Sequence, residues 1–158
     1  MALIHDTRPK ETKASSPVNN AKKAPIDRAV TDFLNDTLVS YDKSVLTLYN
    51  GNPVLFTPDF SVPDGIAFSC GITVGEVRKG RVLPHQQFFR GMGRQFKRKI
   101  ELQPDSEALA RYLHGEEIAA ECENGWAAVT VHGCPLGGAK AVSGVAKNHY
   151  PKGLRSKN

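Results

Sequence analysis

The chain has 158 residues, of which 40% are hydrophobic and 23% charged, with a net charge of +5. That length and balance fit one globular domain and argue against a chain disordered throughout. No apolar run approaches the length of a membrane helix, and the start "MALIHDTRPKETKASS" lacks the apolar core of a secretion signal, so the expectation is a soluble, cytoplasmic protein without membrane contact.

In chain order, residues 1–25 are rich in Lys, Ser, Asn, Thr and Pro and predict a flexible polar leader. Residues 26–43 predict one amphipathic helix. Val30, Phe33, Leu34, Thr37, Leu38 and Tyr41 share a face, and Asp27 stands near the N-terminus. Residues 44–158 then read as mainly β. "SVLTLYN" and "PVLFTP" flank Asn50-Gly51-Asn52, a hairpin signal. "GIAFSCGITVGEV" alternates at Ile66, Phe68, Cys70, Ile72 and Val74, with Gly71 and Gly75 permitting a bend. A turn is expected at Lys79-Gly80.

Pro84 is placed as the first residue of a helix over "PHQQFFRGMGRQFKRK". Phe88, Phe89, Met92 and Phe96 would form its inner side, and Arg90, Arg94, Lys97 and Arg98 a basic stripe outside. Gly91 and Gly93 each cost such a helix ~1 kcal/mol relative to Ala, which predicts irregularity. "IELQP" predicts a short strand. "DSEALARYL" predicts a helix capped by Asp105 or Ser106 and ended by Gly115. The clearest hairpin is "GWAAVTVHGCPLGGAKAVSG", with its turn at His132-Gly133. Glycines in its second strand mark close approach by another group. The fold class expected is mainly β with flanking helices (α+β), consistent with a small barrel.

The chemistry is that of a binder. Cys70, Cys122 and Cys134 are odd in number and far apart, which excludes a disulfide framework and a zinc site. The histidines show no metal-ligand spacing. "GMG" at 91–93 lacks the third glycine of a dinucleotide loop. His132 is the one base near Cys134, and it lies on a turn, so a nucleophilic role for Cys134 is disfavoured. Hence no catalytic residue, no metal and no cofactor are expected. The basic residues are segregated instead. Arg78, Lys79, Arg81, Arg90, Arg94, Lys97, Arg98 and Lys99 occur without an acid among them, as do Lys140, Lys147, Lys152, Arg155 and Lys157. Acids collect elsewhere, including Glu116, Glu117, Glu121 and Glu123, read as a solvated edge. Such asymmetry attracts polyanions. Cations interleaved with His149 and Tyr150 suit nucleic acid, whose phosphates take the charge and whose bases take the rings. Trp126 reads first as a core plug and second as a stacking platform.

The stretch "YLHGEEI … ENGWAAVTVHGCPLGGAKAVSGVAKNHYPKGLR" resembles the C-terminal end of RsmF-type rRNA cytosine-C5 methyltransferases. The matching residues are Tyr112-Leu113, Gly115-Glu116, Gly125-Trp126, Pro135-Leu136-Gly137, Lys140, Gly144 and Lys147 to Arg155. "CGITVGEVRKGRVLPHQQF" resembles an upstream segment of the same family. One departure is Gly138, where the family has Trp.

The resemblance implies a PUA-like pseudo-barrel over 44–158, preceded by the helix, that binds RNA and lacks the catalytic domain with its S-adenosylmethionine loop. On that reading Lys79, Arg81, Lys140, Lys147, Lys152 and Arg155 contact phosphate, and Asn148, His149 and Tyr150 contact bases or sugar. Arg90, Arg94 and Arg98 form a secondary RNA surface. The partner is rRNA or tRNA. The alternatives are delivery of RNA in trans to a separate methyltransferase chain, and a protein-interaction module that uses the apolar face of the first helix.

Overall fold

The computed structural model describes residues 25–49, 51–55 and 71–156. The expected leader (bar Pro25) and the alternation at Ile66, Phe68 and Cys70 lie outside the described residues.

The helices are α1 (Arg28–Thr37), α2 (Gln86–Met92) and α3 (Glu107–His114). The strands are β1 (Leu46–Tyr49), β2 (Asn52–Leu55), β3 (Ile72–Thr73), β4 (Gly75–Arg78), β5 (Arg81–Pro84), β6 (Lys99–Glu101), β7 (Ile118–Ala119), β8 (Gly125–Val131), β9 (Cys134–Val142) and β10 (Val145–Asn148). They form a three-stranded sheet β1-β2-β3, a β4-β5 ribbon, and a curled five-stranded half-barrel ordered β6-β8-β9-β10-β7. Among the described residues only β6 pairs in parallel, with β8, and the connection between them runs through α3 and β7. This mixed architecture of strands with flanking helices is the one expected.

Two-residue turns set much of the register. Lys79-Gly80, His132-Gly133 and Ser143-Gly144 all have positive φ at both residues, the geometry that matches the twist of a tight hairpin. The chain also breaks where glycine predicted it. A Cβ on Gly75 would lie 2.2 Å from the Leu83 carbonyl oxygen. β3 ends at Thr73, and β4, starting at that glycine, joins a different sheet.

β8 is buried on both faces. Trp126 and Ala128 enter a core with Val30, Leu34, Leu38, Phe88, Phe89 and Phe96. Ala127 and Val129 enter a second core with Ile100, Leu102, Tyr112 and Ile118. The first core is aromatic at its centre: Phe96 lies 5.2 Å from Phe88 and 5.5 Å from Phe89, and Phe89 lies 5.9 Å from Trp126. In the second, Ser106 caps α3 and Gly115 ends it in a left-handed conformation, as expected.

Three expectations about the first half need correction. α1 stops at Thr37, because Leu38 turns extended and bridges Phe96. Tyr41 is therefore off the helix. Pro84 closes β5, and α2 starts only at Gln86 with His85 as its N-cap. The apolar face of α1 is no partner surface either: Val30 and Leu34 are fully buried within this chain.

Because α1 fills the same core as β8, Leu34→Ala should cost about 2–5 kcal/mol and lower the midpoint of a single unfolding transition followed by Trp126 fluorescence. An unchanged midpoint would make α1 an appendage.

Candidate nucleic-acid interface

The residues of "KNHYPKGLR" alternate between two faces of the sheet edge, because a strand points successive side chains to opposite sides. Lys147 and His149 take one face, Asn148 and Tyr150 the other. The backbone N–H of His149 donates to the Gly138 carbonyl at 3.1 Å, which extends the β9–β10 ladder beyond Asn148.

The first face carries charge. Register places Trp126 opposite Lys140, and Lys140 opposite Lys147, in a row across β8, β9 and β10. The Lys140 ammonium lies 5.6 Å from the Trp126 ring centre. The His149 imidazole meets the same indole edge-on at 4.5 Å. Lys140, Lys147 and His149 are exposed, whereas Trp126 is 9% exposed. Trp126 is thus the plug that the sequence favoured, and it supports the two groups above it. Burial against it lowers the His149 pKa, and the nearby Lys140 charge lowers it further. Among the described residues no carboxylate lies within ion-pair distance of Lys140 or Lys147.

Under this face lies Gly138. Its missing side chain is occupied by Phe89, whose ring would stand 2.2 Å from a Cβ there.

The second face is a lock on α3. The Asn148 amide donates to the carbonyls of Tyr112 at 2.8 Å and Glu116 at 2.9 Å, while its oxygen accepts from the Tyr150 N–H at 2.7 Å. The Tyr150 ring packs 5.4 Å from Tyr112. Tyr112 itself is fully buried and donates to the Gly138 carbonyl at 3.1 Å. Its pKa is raised well above the usual phenol value, first by burial and then by Tyr150. Arg155 donates twice, at 3.3 Å, to the Tyr150 carbonyl and lies over Gly115 at the C-terminus of α3. A cation is favoured there by the helix dipole.

The expected site residues therefore separate. Lys140, Lys147 and His149 are brought together, and Lys152 is exposed on the following short 3-10 turn, Lys152–Leu154. Asn148, expected on RNA, has its amide engaged inside the fold. Tyr150 packs on Tyr112, and Arg155 is bonded to the Tyr150 carbonyl. Lys79 and Arg81 are exposed at the tip of the β4–β5 ribbon, which packs mainly on α1 and β2.

The Arg90–Arg94–Arg98 stripe does not form. α2 ends at Met92, a 3-10 turn covers Gly93–Gln95, and the chain is extended by Phe96. Arg98 instead grips Asp36 with both terminal nitrogens, at 3.1 and 3.0 Å, which raises its pKa further. Lys97 donates to the Asn35 carbonyl at 2.6 Å. Both cations cap the C-terminal end of α1. A basic run with helical spacing gave no hint of that use, because the partner carbonyls lie 62 residues away in the chain.

A curled half-barrel of this order with its flanking helices defines a PUA-like pseudo-barrel. Residues 99–156 match the family model described as the methyltransferase RsmF PUA domain. This stretch, from β6 through the lock on α3, is thus similar to the PUA domain of RsmF-type methyltransferases, a likeness that points to RNA binding. A comparison with curated proteins gave no match. Among the described residues, no group of three or more His, Cys, Asp or Glu could hold a metal ion, and no helix is long and apolar enough to cross a membrane.

Two predictions follow from this packing. Gly138→Ala should destabilise the fold by about 1–3 kcal/mol by overpacking, and Phe89→Leu should recover part of that loss in urea unfolding. Lys140→Met should raise the His149 pKa toward 6.5 in an NMR titration, without restoring it fully, because burial is the larger cause. The sign for stability is set by the same shift. As pH falls through about 6.5 the unfolded chain takes the proton first, so stability declines until the folded imidazole also titrates.

Proposed function

We propose that this protein is a non-catalytic RNA-binding module that engages structured RNA through the Lys140–Lys147–His149 face, with Lys152 at its margin. The observation that carries the proposal is the row Trp126–Lys140–Lys147, in which two cations without acidic partners among the described residues stand beside an exposed imidazole. The lysines would contact phosphates, and His149 would contact a base or sugar. Lys79 and Arg81 form a separate basic tip that would lengthen the footprint. The match to a domain of an rRNA methyltransferase family supports rRNA as the first candidate and tRNA as the second. The same match supports the alternative that the module delivers RNA to a separate S-adenosylmethionine-dependent chain.

RNA affinity should fall with salt, each neutralised phosphate contributing about 0.7–0.9 to the slope of log affinity against log salt. The double variant Lys140→Ala with Lys147→Ala should bind more weakly and lower the slope by about two such contributions, with an unchanged melting temperature. Equal affinity and slope in a folded double variant would remove this face from the RNA site.

A further inference from the structure

The basic row has an apolar neighbour on the same face of the sheet. Val142 lies opposite Val145 across the Ser143-Gly144 turn, as Lys140 lies opposite Lys147. Alternate residues of a strand share a side, so the two valines stand on the side of the two lysines, while Ala141 and Ala146 enter the second core. Val142 is 38% and Val145 39% exposed. At the far end of the same side is His149, exposed and edge-on to Trp126. Its backbone N–H is bonded to Gly138, and its two chain neighbours are anchored on α3, Asn148 by its amide and Tyr150 by its ring. The imidazole is thus held in position by the fold itself. Along β10 the face reads Val145, Lys147, His149, an aliphatic group, a cation and an imidazole at intervals of about 6.7 Å.

That order fits an unpaired strand better than a duplex. A-form RNA presents phosphates and 2′-hydroxyls to a flat sheet, and exposed valines gain nothing from either. The bases of a single strand are free to lie on apolar and ring surfaces while its phosphates take the cations. Burial, and then the Lys140 charge, favour the neutral form of the His149 imidazole, which both donates and accepts, as a base edge requires. Glu117, exposed just before β7, makes no ion pair with Lys147 among the described residues, and it borders the row on the β7 side alone. We propose that this face selects an unpaired run of nucleotides laid along β10. His149 meets one base, Lys140 and Lys147 take the phosphates that follow, and Val142 with Val145 supports a further base. This selectivity presupposes RNA binding by the same face and specifies the state of the RNA that it takes.

The test compares one RNA in two states. A labelled single strand of mixed sequence without self-complementarity, and the blunt duplex made from it with its complement, are each titrated with the whole chain at equal salt. The single strand should bind more tightly by about tenfold or more. His149→Ala should weaken single-strand binding by about tenfold, and Val142→Ser with Val145→Ser should weaken it severalfold. Neither change should alter the salt slope or the duplex affinity, and melting temperatures are measured alongside. In the unaltered chain, the Val142 and Val145 methyl signals should shift in NMR spectra on addition of the single strand and not of the duplex, a readout that needs no variant. Lys140→Ala with Lys147→Ala should lower affinity and slope for both RNAs. Equal or tighter binding of the duplex would overturn the proposal, and so would single-strand binding that leaves the two valine signals unmoved. In either case a lower slope in the lysine double variant would leave RNA binding by this face standing. Failure of both RNAs to bind would overturn the proposal and the RNA-binding reading together.

Discussion

A strand covered on both faces has no position at which a charge can be placed cheaply. β8 is such a strand, and its run from Trp126 to Thr130 is buried throughout. Thr130 is its one hydroxyl, and it is satisfied by the Glu101 carboxylate and the Ile100 carbonyl. The other oxygen of Glu101 accepts from the Gly133 N–H at 3.1 Å and so pins the β8–β9 turn. These bonds hold the Glu101 carboxyl below its usual range. The two cores divided by β8 are filled by different parts of the chain, α1 with α2 on one side and α3 on the other. The neighbouring strand must be small-residued to admit them, and Gly137, Gly138, Ala139 and Ala141 meet that need.

Charge is thereby pushed to the margins of the sheet, where it takes three forms. On one face of β9 and β10, Lys140 stands over Trp126 with Lys147 opposite it, neither with an acidic partner among the described residues. At the exit of α1, Lys97 and Arg98 are consumed in capping a helix. At the β6–β7 opening, Lys99 stands with Glu101 and Glu121, so the two signs are mixed. Identical residue types thus have different uses. The distinction is decided by which backbone carbonyls and carboxylates lie within reach, not by local spacing.

Much of this was legible in the sequence. The hairpins at Lys79-Gly80 and His132-Gly133 announced themselves through glycine at turns that need positive φ. The caps of α3 and the plug role of Trp126 were also readable, since each depends on near neighbours or on a pronounced apolar pattern. The tail resemblance pointed to the PUA-like region, of which residues 99–156 match the family model. What could not be read were the long-range polar contacts. Asn148 looked like an RNA ligand because its chain neighbours are basic, but its partners are the end of α3. Arg98 looked like part of a wet helix face, but the helix ends at Met92, the chain is extended by Phe96, and the guanidinium meets Asp36. The role of Gly138 was visible only as a missing Trp until Phe89 was seen to fill the space.

The central claim is that adjacent residues of one short tail divide strictly between holding the fold and meeting RNA. An alanine scan of residues 147–150, with melting temperature and RNA affinity measured on each variant, tests it most directly. The account predicts that Lys147→Ala and His149→Ala lose affinity at an almost unchanged melting temperature, while Asn148→Ala and Tyr150→Ala lower the melting temperature. Loss of stability at Lys147 and His149, or loss of affinity in a fully stable Asn148→Ala variant, would contradict it.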